Sequence, residues 1–111
     1  MKIIVTSNVY EYLENLVIIL YENEYFGFKD SAKKYVDDLY SDIITNLPAH
    51  TKKPAPRYFD KYGKGMYYAT FRKNKNTQWY AFFRIYRERG DLVYQIRYLA
   101  NNHTVAQYLC Y

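Results

Sequence analysis

Few residues in this 111-residue chain could do acid/base or phosphate chemistry, and most of them fall in its second half. Between Gly65 and His103 the sequence reads GMYYATFRKNKNTQWYAFFRIYRERGDLVYQIRYLANNH. His103 follows the last apolar run and ends an Asn101-Asn102-His103 exit; imidazole is the side chain that titrates near neutrality. Arg72 and Arg84 alternate onto the same strand face as Tyr68, Tyr80 and Phe82, which places guanidinium forks beside flat aromatic rings. Such a face suits phosphate contacts next to base stacking. Lys61 and Lys64, just before the first of these runs, add attraction for a polyanion. Gly63-Lys64-Gly65 lacks the length and the following Ser/Thr of a P-loop. Two histidines and one cysteine without ligand spacing give no zinc site, so we expect no metal and no cofactor.

These residues need a sheet to position them. Met66 to Lys73 and Gln78 to Arg87 flank the turn Asn74-Lys75-Asn76, and Asp91 to Ala100 follows Glu88-Arg89-Gly90. All three runs are rich in aromatic and β-branched residues, which predicts three antiparallel strands joined by short turns. In the middle run Trp79, Ala81, Phe83 and Ile85 form a core face. Gln78, Tyr80, Phe82, Arg84 and Tyr86 form the other, which we expect to be the functional face.

The first half supplies the cover. Lys2 to Thr6 is a short strand candidate at a sheet edge. Ser7 or Asn8 can cap a helix reaching about Tyr25, with Val9, Leu13, Leu16, Val17 and Leu20 at helical spacing. Asp30 or Ser31 can cap a second, whose stripe Ala32, Tyr35, Val36, Leu39, Tyr40, Ile43, Ile44 and Leu47 is a packing face, and Pro48 stops it. Ala49 to Gly63 reads as a basic loop in which His50 is solvated. The expected fold is α+β in the order β-α-α-β-β-β, one domain over 1–111: a helical hairpin on a small, mostly antiparallel sheet, with a short C-terminal helix or tail.

Charge divides along the same line. Residues 1–50 carry four Lys/Arg against eight Asp/Glu, a net of −4; residues 51–111 carry twelve against three, a net of +9. A basic sheet on an acidic helical half points to phosphates or an acidic protein partner. The single Cys110 fits a reducing cytoplasm, and no segment reads as a signal peptide or membrane span.

This order, with YYATFRKNKNTQWYAFF before a strand ending in NNH, resembles the RelE/ParE toxin superfamily of bacterial toxin–antitoxin systems over nearly the whole chain. The resemblance implies a small toxin neutralised by a cognate antitoxin. RelE-like members cut ribosome-bound mRNA; ParE-like members inhibit DNA gyrase on the same fold. It implies that Arg72 sits at a matching arginine, that His103 falls where relatives carry a catalytic His or Arg, and that Tyr108 lies near a tail tyrosine. Tyr68 and Thr70 stand where some RelE-like enzymes have lysines, and Thr77 and Gln78 where an arginine often occurs.

The expected activity is a ribosome-dependent mRNA endonuclease that inhibits translation in the cytoplasm. His103, Arg72 and Tyr108 would be catalytic; Arg84, Lys61, Lys64, Tyr68 and Tyr80 would bind RNA. Attack by the RNA's own 2′-OH needs a proton acceptor, a donor for the leaving oxygen and cations over the phosphate, all of which side chains can supply without a metal. The alternatives are a ParE-like gyrase inhibitor and a non-toxic binding module of the same fold. Operator DNA would be bound only through the antitoxin complex. Plainer readings stand beside these: His103 as a turn residue, Arg72 and Arg84 as cross-strand or antitoxin contacts, Tyr108 as packing.

Overall fold

Aromatic and β-branched runs separated by two-residue turns dictate the centre of the structure. In the computed structural model, which describes residues 1–22, 29–103 and 109 (for residue 29 the backbone alone), β3 spans Tyr67–Asn74, β4 Thr77–Glu88 and β5 Asp91–Asn101. Each strand lies within a residue or two of the expected one. The first turn is tighter than expected, because Asn74 pairs with Thr77. Asn74 Oδ1 accepts from the backbone N–H of Asn76 at 2.9 Å, the local bond that makes asparagine a turn residue.

Two further strands complete a mixed five-stranded sheet in the order β1-β5-β4-β3-β2. β1 (Lys2–Val5) is the edge strand expected, pairing parallel with β5 from Lys2↔Val93 to Val5↔Ile96. β2 is the two-residue piece Lys53–Pro54, antiparallel to β3 inside the segment expected to be loop. The fold is α+β.

α1 (Ser7–Glu22) and α2 (Lys29–Asn46) cover one face of the sheet. Tyr10, early in α1, meets Tyr40, late in α2, at 3.1 Å between hydroxyls, so the helices run antiparallel. Val9, Leu13 and Leu16 from α1 and Val36, Leu39 and Ile43 from α2 bury against Phe71, Trp79, Ala81, Phe83, Ile96 and Leu99. The stripe expected for α2 is therefore its packing face. Leu47–Ala49, holding Pro48, is the 3-10 turn that ends it. The start of α1 departs from expectation. The Thr6 carbonyl accepts from Val9 and Tyr10, whereas the Asn8 side chain donates to the Arg97 carbonyl at 3.2 Å instead of capping. The expected extension of α1 to Tyr25 lies outside the described residues.

The second sheet face is covered too, which reverses the expectation of an open functional face. Residues Arg57–Tyr62 form a 3-10 turn that lays Phe59, fully buried, on Phe82 with ring centroids 4.3 Å apart. Met66, Tyr68, Phe82 and Ala100 complete this smaller core, and Tyr62, Tyr80, Tyr98 and Leu109 pack around it. Phe82 carries an aromatic ring worth several kcal/mol of transfer energy, and a segment with its own aromatic residues is the means to remove it from water. On either side of this cover the face carries exposed Arg72 and Arg84.

A candidate site at one end of the second sheet face

The β3–β4 turn and the exit of β5 meet at one end of the sheet. Arg72 pairs with Gln78 across the hairpin, and Trp79 pairs with Asn101 on the other side. Asn102 ties the exit of β5 to β4 and to the β3–β4 turn. Its Oδ1 accepts from the Gln78 backbone N–H at 2.9 Å, and its Nδ2 donates to the Asn76 carbonyl at 3.2 Å. Adjacent strands lie about 4.8 Å apart, so Arg72 and Asn102, flanking Gln78, are separated by roughly 10 Å. His103 follows directly, exposed, with its backbone N–H on Asn101 Oδ1 at 2.9 Å.

The polar side chains at this end share one face. Alternation puts Arg72, Gln78 and Tyr80 on the side opposite the helices. Tyr80 Oη donates to Gln78 Oε1 at 3.4 Å. Arg72 is exposed; its Nε donates to the Asn74 carbonyl at 3.2 Å, which anchors the guanidinium beside the turn. An arginine, an amide and a phenol thus lie along one face of this end, with the exposed His103 following the strand exit beside it. Of the groups named in the sequence, Arg72 and Tyr80 share this face, and His103 follows the strand that ends here.

Others do not. Arg84 is exposed but lies six residues along β4 from Gln78, roughly 20 Å at strand rise, so it cannot share a phosphate with Arg72. Tyr68 is 6 % exposed, its ring 5.6 Å from Phe82, and offers no face for a base. The second core encloses it, because Arg57–Tyr62 is a 3-10 turn packed on this face where a loop is expected. Lys61 sits over the Tyr58 ring at 4.0 Å on the covering turn, and Lys64 is exposed in the bend that follows; neither belongs to the His103 end. Tyr108 and Cys110 lie outside the described residues. His50, expected to be solvated, is half-buried. It stacks on Phe71 at 4.1 Å, and its Nδ1 donates to the Thr70 carbonyl at 2.8 Å, tying the end of α2 to β3.

The sequence reading missed two groups. In the sequence Asn102 is only part of the strand exit, although its two bonds tie that exit to β4 and the β3–β4 turn. Arg97 was not singled out. β5 carries an irregularity there: Phe82 pairs with Tyr98 and Phe83 with Ile96, leaving Arg97 without a cross-strand partner. A signal for it was present, since the buried positions run Tyr94 and Ile96 and then jump to Leu99, a slip in the period of two.

Around Arg97 the two tyrosines Tyr62 and Tyr98 stack nearly parallel, centroids 3.8 Å apart. Burial first, and then the Tyr62 hydroxyl beside it, hold the Tyr98 phenol well above the ordinary tyrosine range. Tyr98 is therefore a neutral, packed ring rather than an acid.

Among the described residues no three His, Cys, Asp or Glu side chains converge as metal ligands, and no helix is long and apolar enough to cross a membrane. No protein-family model matches the chain, nor does any curated protein or solved structure.

Proposed function

We propose that this chain is the toxin of a bacterial toxin–antitoxin pair of the RelE/ParE kind, acting as an endonuclease on ribosome-bound mRNA. The observation that supports the reading is that Arg72, Gln78 and Tyr80 share one face at the end of the sheet where the Asn102-anchored exit of β5 delivers the exposed His103. His103 would take the proton of the attacking 2′-OH or return one to the leaving 5′-oxygen. Arg72 would hold the non-bridging phosphate oxygens as negative charge develops on them. Tyr80 and Gln78 would orient the nucleotide.

A protein partner is part of the same proposal. Between α1 and α2 runs an open apolar groove of about 250 Å³, lined by Tyr10, Leu13, Val17, Val36 and Tyr40 and edged by Glu14 and Asp37. Ile18 and Ile19 lie exposed on α1, each 45 %. An amphipathic antitoxin segment would bury such a surface. The same groove favours the second reading, a ParE-like gyrase inhibitor without nuclease activity, since a protein-binding module needs an apolar surface and no catalytic histidine.

The test is induction without antitoxin, followed by pulse-labelling of protein and DNA synthesis, with wild-type protein and His103→Ala. The expected result is loss of protein synthesis with mRNA cut at ribosome-occupied codons, and a folded His103→Ala that arrests nothing. Arrest of DNA synthesis with intact mRNA would replace this reading by the gyrase one. Full toxicity of a folded His103→Ala would end the catalytic assignment.

A further inference from the structure

Arg97 is held by four separate features. The irregularity in β5 sets it apart from the strand ladder, and such bulges re-aim the side chain they contain. Its Nε donates to the Tyr62 carbonyl at 2.9 Å, and its Nη1 to Gln95 Oε1 at 3.2 Å. Gly63, at φ 150°, comes so close that a Cβ there would stand 2.9 Å from the Arg97 Nε, a contact only glycine avoids. These contacts use only part of a guanidinium's five donors. Gln95 in turn pairs with Arg84, which is exposed on the same face. Among the described residues neither arginine has a carboxylate within ion-pair distance, the sole such pair being Lys34–Asp38.

We infer that Arg84 and Arg97, with the Gln95 amide between them, form a second anion subsite that takes a backbone phosphate of single-stranded RNA beside the covering turn, farther along β4 and β5 from His103. The identity of the polyanion rests on the function proposed above; the subsite rests on its own geometry. Two cationic groups on one face, roughly 20 Å apart along β4, match an extended polyanion better than a small ion. The covering turn beside Arg97 carries Lys61 over the exposed Tyr58 ring, and the bend that follows it carries exposed Lys64, so further positive charge adjoins the subsite. Planar guanidinium forks match phosphate oxygens in pairs, and a fork already fixed by two bonds loses little freedom on binding.

The experiment measures binding of a labelled 2′-O-methyl oligouridylate, which cannot be cleaved, by fluorescence anisotropy across a salt series. For single strands each neutralised phosphate contributes about 0.7 to the slope of log affinity against log salt. Arg84→Gln and Arg97→Gln should each lower the slope by about that amount and weaken binding. Arg87→Gln, which removes an arginine that alternation places on the other face, should leave it unchanged. Arg84→Gln changes an exposed side chain and so decides the matter even if Arg97→Gln folds poorly. An unchanged slope in Arg84→Gln, an equal drop in Arg87→Gln, or no binding by the wild-type protein would overturn the subsite. So would poly-glutamate binding with the same Arg84 dependence and higher affinity. Toxicity retained in His103→Ala would remove the nuclease reading and leave an altered Arg84 slope standing. A harmless His103→Ala with an unaltered slope would remove the subsite alone.

Discussion

At the scale of single residues, the same side-chain type plays opposite parts according to what surrounds it. His103 is exposed at a strand exit, whereas His50 is stacked on Phe71 and bonded to the Thr70 carbonyl. Tyr80 faces the candidate site, while Tyr98 is enclosed between Tyr62 and Phe82, and its raised pKa has a measurable consequence. An unfolded tyrosine loses its proton near pH 10, and folded Tyr98 only well above that. Between those limits the folded state holds more protons than the unfolded one, so stability falls as pH rises. Tyr12 and Tyr40 shift in the same direction, Tyr12 chiefly through burial and Tyr40 chiefly through its hydrogen bond with Tyr10. Thermal melts taken upward from pH 9 should therefore show stability declining past about pH 10. Tyr98→Phe should flatten much of that decline. An unaltered slope in the variant would mean that the ring is not held as described.

At the scale of elements, the 3-10 turn Arg57–Tyr62 matters most for the site. It covers the centre of the second sheet face through Phe59 and offers the Tyr62 carbonyl that orients Arg97. Truncating a fully buried phenylalanine typically costs about 3–5 kcal/mol. Phe59→Ala should lower the free energy of unfolding by about that amount in a urea titration. It should also release the turn, so that Tyr58 and Tyr62 become more accessible to chemical modification. A loss below about 1 kcal/mol would show that the second core contributes little. The helical layer stands apart from this: its packing through Leu39, Val36 and Ile43 involves only the opposite face.

At the scale of the whole molecule, the N-terminal strand closes the sheet. β1 lies parallel on β5, and the Thr6 N–H extends the pairing by donating to the Ile96 carbonyl at 3.1 Å. Without it β5, which carries Arg97 and leads to His103, would be an open edge of the sort that recruits other chains. Removing residues 1–5 should lower the melting temperature and produce concentration-dependent association, read by sedimentation velocity. A monomeric truncated protein of unchanged stability would show that β1 is dispensable. The split of charge, −4 on the first 50 residues and +9 on the remainder, follows the two layers, with the basic part on the side of the candidate site.

Local pattern was enough for the elements themselves. Period-two runs marked β3, β4 and β5 nearly to the residue, and the apolar stripe of α2 appeared as it packs, because both signals depend only on which neighbours share a face. Arg72 and His103 could be singled out for the same reason, each by residue type at a strand end. Three things needed the tertiary structure. The burial of Tyr68 and Phe82 depends on a turn that is distant from Phe82 in sequence and carries no periodicity. The separation of Arg84 from Arg72 depends on how far β4 extends beyond its paired end. The placing of Arg97 depends on a bulge, a glycine and a carbonyl drawn from three segments. Long-range packing sets each of these, and pattern along the chain describes only one face at a time.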